Sequence, residues 1–308
     1  MKVLILAATG KMGGGTVKAL KGSPHELYGF TRDAASAKAE ALKSSGVTIF
    51  EGDFADRESL DRALAVGIDS VFFTIFPDLA GGDSDLKQTK NIIAAVKAAG
   101  VKQLIYGSLI YPGTEEGFRS VHDSLEPTSW IKLYFNRKLE LDQLVRDSGV
   151  QYWTIIRPPT FIQNHVLPES IAFIYPDLAS KYQFKSTWDH NLPQWYADGS
   201  EAGKFAAAAV NDPERLHTKE IKFASEALTA QQIVDKLAKA SGKPVTLYQW
   251  PEEELKEALA TNPFHNTTHV ISKMGFDSEI GNAEKYGVEL TPISEWLETN
   301  KKGTWLEA

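Results

Sequence analysis

Two stretches of the chain carry residue types and spacings that do chemistry. The first is Ala7-Ala8-Thr9-Gly10-Lys11-Met12-Gly13, between an apolar run at 2–7 and a segment whose Val17, Ala19 and Leu20 suit a helix packing back on that run. First-turn N–H groups have no partner inside a helix, and the helix dipole favours negative charge there, so strand, turn and helix together make an anion site. Gly10 lets the chain turn and a pyrophosphate approach the backbone, while Gly13 lets helix and strand pack closely. Ala8, Thr9, Gly10, Lys11, Met12 and Gly13 are therefore expected around the phosphates of a dinucleotide. The other reading is a glycine-rich turn with no ligand. Ala7 stands where the first glycine of a G-x-x-G-x-x-G pattern falls, a small loss provided its dihedral angles are ordinary.

The second stretch is a helix predicted over 135–147. At 100° per residue, Tyr134, Leu141 and Val145 centre its apolar face, Phe135, Leu139 and Leu144 flank it, and Lys138 falls in the middle. An unpaired buried lysine would cost several kcal/mol, so Lys138 needs a partner, and the ribose hydroxyls of a bound cofactor would serve. Tyr134 and Lys138 are four residues apart and share one helix edge. The alternative for Tyr134 is a core aromatic that begins the helix.

Further positions follow from the strands. Arg32 comes directly after a predicted strand at 26–31, where an acidic residue would accept from the ribose 2′-hydroxyl of NAD. An arginine there instead offers a fork of donors matched to a 2′-phosphate, unless it is simply a surface residue beside Asp33. Asp53, after a strand at 47–51, is placed to accept from an adenine amino group with Phe54 flanking the ring; its other reading is the N-cap of the helix predicted at 57–65.

These positions need a scaffold, and the chain supplies its rhythm. Strands at 2–7, 26–31, 47–51, 70–75, 102–106 and 152–156 alternate with helices at 34–43, 57–65, 85–99 and 135–147. That alternation predicts right-handed crossovers and an α/β fold with a doubly wound parallel sheet. The region between 107 and 134, rich in Gly, Pro and Glu, reads as a loop. Beyond Pro159 the rhythm fails and aromatic residues crowd together: Phe161, Phe173, Tyr175, Tyr182, Phe184, Trp188, Trp195 and Tyr196. We expect a nucleotide-binding domain over 1–157 and, over 158–308, a smaller substrate-covering lobe that sends segments back to the sheet. In that lobe, helices are predicted at 199–210, 230–240, 252–260 and 292–298, and strands at 220–224 and 245–250.

Composition narrows the classes. A chain of 308 residues that is 43% apolar buries a substantial core. A net charge of −7 argues against a protein that tracks nucleic-acid phosphates. With no cysteine there is no disulfide, thiolate metal site or cysteine nucleophile. His265 and His269 have i, i+4 spacing but no third ligand, so no metal is expected. A strand expected from residue 2 and the lack of a long apolar run predict a cytoplasmic protein with no leader and no membrane contact.

The chain resembles an atypical short-chain dehydrogenase/reductase of the NmrA-like family. The likeness rests on AATGKMG at 7–13, Arg32, GDFAD at 52–56, IYGS at 105–108 and RKLELDQLVRDSGVQYWTIIRPPTFIQN at 137–164, with WYADGSEAGKFAAAAVNDPE and FASEALTAQQIVDKLAKASGKPV later in the chain. The resemblance implies a Tyr-x-x-x-Lys pair in which Tyr134 moves the proton on a substrate oxygen and Lys138 lowers the tyrosine pKa and holds the ribose. Ser108, 26 residues before Tyr134, would polarise the same oxygen; its other reading is a strand-end hydroxyl satisfying the backbone. Thr74 and Phe76 would lie along the nicotinamide-ribose side, Pro158, Pro159, Thr160 and Phe161 near the carboxamide, and Asn164 matches an asparagine of the family. His122, His165 and His190 lie in loops from which any one of them could face the pocket as a proton donor; the other, commoner reading for each is a solvated or core histidine. The implied function is an NADPH-dependent reductase of a small carbonyl or conjugated, aromatic substrate, with NADP as cofactor and a monomer or homodimer as assembly. The alternatives are an NADP-binding regulator without catalysis and a cofactor-retaining isomerase or epimerase.

Overall fold

The computed structural model describes residues 1–78, 81–278, 280 and 283–307. The first half runs β1 (Lys2–Leu6), α1 (Lys11–Leu20), β2 (Glu26–Thr31), α2 (Ala37–Ser44), β3 (Thr48–Glu51), α3 (Arg57–Leu64), β4 (Ser70–Thr74), α4 (Ser84–Ala98), β5 (Gln103–Gly107), α5 (Glu115–Ser124), α6 (Trp130–Arg146) and β6 (Tyr152–Arg157). The second half runs β7 (Thr160–Phe161), α7 (Pro168–Ile174), α8 (Asp177–Lys181), β8 (Gln183–Phe184), β9 (Gln194–Ala197), α9 (Ala202–Asn211), α10 (Pro213–Leu216), β10 (Lys219–Lys222), β11 (Glu226–Leu228), α11 (Ala230–Ser241), β12 (Thr246–Leu247), α12 (Glu252–Thr261), α13 (Pro263–Ser272) and α14 (Ile293–Thr299).

Seven strands form one sheet in the order β10-β6-β5-β4-β1-β2-β3, and every neighbouring pair in it is parallel. This is the doubly wound α/β sheet read from the alternation. Helices cover both faces. Val3, Ile5, Phe72, Ile105 and Ile156 point to α1 and α9, whereas Leu4, Leu6, Val71, Phe73, Leu104 and Ile155 point to α3, α4 and α6. Chain order reverses between β1 and β4, which places a crevice at the carboxyl edge of the sheet.

The second half feeds this layer as well as its own. β10 extends the sheet beside β6, and α9 packs so closely on α1 that a Cβ on Gly203 would lie 2.0 Å from the Gly15 carbonyl carbon. A separate core of Ile162, Tyr175, Phe184, Tyr196, Ile233, Leu237, Trp296 and Trp305 fills the remainder.

The structure departs from the sequence reading in several stretches, among them the helices α7, α8 and α13, which were not expected. α6 begins at Trp130, so Tyr134 lies inside the helix. The expected loop contains α5, started by Thr114, whose hydroxyl accepts from the Gly117 N–H at 3.0 Å. The strand expected over 245–250 is only the two-residue β12. Its neighbours Tyr248 and Trp250 instead pack around Lys185.

Candidate functional site

Ala7 takes φ of 53°, the left-handed region that costs a residue with a Cβ about 1–2 kcal/mol. The condition under which alanine would be a small loss at this position, ordinary dihedral angles, is therefore not met. The bend lets the Gly10 N–H donate to the Ala7 carbonyl at 2.9 Å, and a Cβ on Gly13 would meet that same oxygen at 2.2 Å. α1 therefore starts hard against the end of β1, and no side chain caps it among the described residues. Ala8 is fully buried and gives its N–H to the Phe30 carbonyl at 3.2 Å. Met12 is buried too, its sulfur 3.7 Å from the Thr74 hydroxyl oxygen. Ala8 and Met12 thus build the floor, with Thr9 alongside, 3.4 Å from the Thr31 hydroxyl. Lys11 opens a helix whose first turn holds no acid, and burial pulls its ammonium pKa down. A cation at a helix N-terminus is opposed by the dipole; an anion between them relieves both.

Along the rest of the carboxyl edge, Arg32 is exposed and has no hydrogen bond or ion pair among the described residues. Asp33 is occupied locally, accepting from the Ala35 N–H at 2.8 Å. Asp53 also folds back, onto the Ala55 N–H at 2.8 Å. The cap of α3 is Asp56, which accepts from the Glu58 N–H at 3.0 Å, so the alternative role weighed for Asp53 belongs to its neighbour. Phe54 stacks on Phe30 with centroids 5.7 Å apart. Thr74 donates to the Gly107 carbonyl at 3.0 Å, and Phe76 stands 78% exposed just beyond β4.

Lys138 is 4% exposed and makes no hydrogen bond with any described residue. Burial brings its pKa down to about 8, against the pull of Asp85 and Asp142. Its ammonium lies 5.8 Å from the Tyr134 ring centroid, and Tyr134 stacks on Trp130 at 5.2 Å. Burial pushes the Tyr134 phenol up, the opposite of the lowering that the resemblance implied for it.

Ser108 is buried and donates its hydroxyl to Asp142 Oδ1 at 2.7 Å. Its one hydrogen goes to Asp142 here. Asp142 Oδ2 takes the Tyr111 hydroxyl at 2.6 Å and Arg157 Nη2 at 2.7 Å. Arg157 also reaches Glu220 Oε2 at 2.6 Å, which ties β6 to β10. Asp142, Arg157 and Tyr111 were not among the residues read from the sequence. A signal for them exists: Asp142 follows Lys138 by four residues on the same apolar helix face, and Arg157 ends an otherwise apolar strand.

A cavity of about 200 Å³ opens at this edge, lined by Tyr134, Ile110, Pro158, Thr160, Trp188 and Trp195, among others. Thr160 holds Gln194 through its hydroxyl at 2.8 Å, and the Phe161 ring lies against Gly199. Asn164 is half-buried just beyond. The aromatic segment is therefore divided: Trp188 and Trp195 face the cavity, while Tyr175, Phe184 and Tyr196 belong to the lobe core. The histidines do not line it. His165 is fully buried in that core, His122 bonds Asn136 at 3.0 Å and His190 bonds the Ser186 carbonyl at 3.1 Å. No metal-binding group occurs among the described residues, and no described helix is long and apolar enough to cross a membrane.

The pattern of the NmrA-like family matches residues 1–305. The chain belongs to that family. Among the relatives of this NmrA-like chain is the isoflavone reductase homolog P3 of Arabidopsis thaliana, 27% identical over 307 residues and matched over 95% of this chain and 93% of the relative. The solved NADPH-dependent quinone oxidoreductase QOR2 of Escherichia coli, complexed with NADPH, superimposes with a TM-score of 0.71 at 24% identity, covering 97% of this chain and 99% of that one. The negative transcriptional regulator NmrA in complex with NADP does so with 0.70 at 16% identity, over 97% and 94%. The two structural likenesses establish the fold that the NmrA-like chain shares with a reductase and with a regulator alike.

Proposed function

We propose that this chain is an NADPH-dependent reductase of a small carbonyl or conjugated substrate. The observation that carries the reading is Lys138, a buried cation without a hydrogen-bond partner, beside a tyrosine that lines an aromatic cavity. NADP fits the residues present. The uncapped start of α1 receives the pyrophosphate where a Cβ on Gly10 would crowd the Ala7 oxygen at 3.2 Å, with Lys11 adding charge. Arg32 is free to grip the 2′-phosphate, Asp53 and Phe54 flank the adenine, and Lys138 binds the ribose hydroxyls it otherwise lacks. Thr74, Phe76, Pro158, Thr160 and Phe161 border the nicotinamide side. The reading is supported by relatives and structural neighbours named as reductases, isoflavone reductase homolog P3 and the NADPH-dependent quinone oxidoreductase among them.

When bound, the reduced nicotinamide supplies the hydride. The protein must then place a proton on the substrate oxygen, and a phenol whose pKa burial has raised stays protonated at neutral pH, as a donor must. Tyr134 gives that proton, and Lys138, protonated below about pH 8, sits behind it as the adjacent acid. Ser108 and Asp142 hold the strand end and helix together so that Tyr134 faces the cavity. The cavity walls of Trp188, Trp195 and the prolines exclude water and favour a flat apolar substrate.

The test is NADPH oxidation against carbonyls, enones, quinones and imines, with Tyr134→Phe and Lys138→Met beside the wild type. Tyr134→Phe is expected to lower turnover by about 10²–10⁴ and leave NADPH affinity nearly unchanged; Lys138→Met is expected to damage both. Tight NADPH binding without turnover of any class would favour the regulator reading, and full activity in Tyr134→Phe would remove the tyrosine from the chemistry.

A further inference from the structure

Most polar side chains on the walls of the aromatic cavity are already bonded to protein. The indole N–H of Trp188 donates to the Leu192 carbonyl at 2.9 Å, and that of Trp195 to the Asp277 carbonyl at 2.8 Å. The Asp277 carboxylate meets Lys222 Nζ at 3.0 Å. No lysine, arginine or histidine lines the cavity among the described residues. Two hydroxyls remain, from different layers of the fold: Tyr134 on α6 and Thr160 on β7. Neither donates to any described residue. The Thr160 hydroxyl is nevertheless oriented. Tyr196, 2% exposed on β9, donates its phenol to Gln194 Oε1 at 2.8 Å, and Gln194 Nε2 donates to Thr160 Oγ1 at 2.8 Å. The direction of this chain is set at its buried end. A buried phenol keeps its proton, and a buried donor without an acceptor is costly, so the amide turns its carbonyl to Tyr196 and its N–H to Thr160. Thr160 accepts from Gln194, and its own hydrogen is left for an acceptor in the cavity.

We propose that Thr160 is a specificity-determining residue that donates a hydrogen bond to a second acceptor on the substrate. The substrate class is then an uncharged conjugated molecule with two acceptor groups, one for Tyr134 and one for Thr160. This rests on reading the cavity as the substrate site of a reductase. Gln194 acts through Thr160 and is a positioning residue. The Thr160 hydrogen is not transferred: it orients the substrate, and Tyr134 alone gives up a proton. An anionic substrate finds no countercharge on these walls, and a molecule with a single acceptor leaves one buried hydroxyl unanswered.

Matched aldehydes make the test: acetylbenzaldehyde against ethylbenzaldehyde, each substituted meta or para, which differ in the second acceptor and little in shape. Binding is measured by calorimetry with and without NADP⁺, where no turnover intervenes, and kcat/KM by NADPH oxidation. The wild type is expected to favour the acetyl member of at least one pair by roughly threefold to tenfold, and to bind the anionic carboxybenzaldehyde more weakly than that member. Thr160→Val, which removes the donor and keeps the shape, is expected to abolish the preference, and Thr160→Ser to retain it. Gln194→Glu leaves the Thr160 hydroxyl in place but accepts from it instead of donating to it, so the preference is expected to vanish there too. A purely structural role would weaken both members of a pair alike and leave their ratio unchanged. A wild type without the preference, or a preference that survives either Thr160→Val or Gln194→Glu, overturns the proposal. Equal losses for both members together with weaker NADPH binding in Thr160→Val would assign the hydroxyl to the cofactor, which overturns it as well. Should Thr160→Val fail to fold, Gln194→Glu decides by itself. A wild type that shows the preference in binding yet never oxidises NADPH would defeat the reductase reading and leave the recognition by Thr160 standing.

Discussion

Acid should loosen the second half of this protein through one histidine. His165 is fully buried, its ring centroid 5.0 Å from that of Tyr175 and 5.4 Å from those of Phe184 and Tyr196. Neither ring nitrogen has a hydrogen-bond partner among the described residues, and burial brings the pKa down from 6.5 to about 4. The folded value lies below the unfolded one, so the unfolded chain takes up the proton first. Stability falls as pH drops below about 6.5 and levels off below about 4. At 1.36 kcal/mol per unit, the loss between pH 7.5 and 4.5 amounts to about 2.5 kcal/mol. Carboxylates and the other histidines titrate in the same window, so the quantity to measure is the difference between wild type and His165→Leu, a change close to volume-conserving. Urea unfolding followed by circular dichroism at the two pH values yields it by linear extrapolation. The wild type is expected to lose about 2.5 kcal/mol more than the variant. Equal losses would mean that the imidazole is solvated or bonded in the fold, and the reasoning would fail.

Three further outcomes follow from close contacts and free charges. Ala7→Gly is expected to stabilise the protein by about 0.5–1 kcal/mol in the same urea assay, because glycine relieves the left-handed strain at φ of 53° while giving back part of the gain as chain entropy. Gly203→Ala is expected to cost about 3 kcal/mol or more, since its Cβ would lie 2.0 Å from the Gly15 backbone; Gly14→Ala, with its nearest contact at 3.4 Å, is the control that should be tolerated. Arg32→Ala is expected to weaken NADPH binding about tenfold to a hundredfold and leave NADH binding nearly as it was, measured by calorimetric titration. Equal affinities of the wild type for the two cofactors would remove Arg32 from that role.

The sequence alone determined what depends on neighbours along the chain. Alternating apolar runs and helical stretches specified the parallel sheet, because strands buried on both faces and helices covering them are local patterns with periods of their own. The glycine turn, Arg32 and the four-residue step from Tyr134 to Lys138 were legible for the same reason: each is a short motif whose place at a strand end or helix edge follows from spacing. Only the tertiary structure decided who meets whom across the fold. Asp142 and Arg157 are 15 residues apart and meet because β6 passes under α6, and Ser108, 34 residues before Asp142, donates to the same carboxylate. Asp85 reaches Arg137 from 52 residues away. His165 reads as a loop histidine until β8, β9 and α7 close around it, since burial belongs to the packed molecule and not to the residue. Ala7 shows the same limit at the scale of one dihedral: its type permits an ordinary turn, and the close seat of α1 on β1, with Gly13 against the Ala7 carbonyl, imposes the strained one.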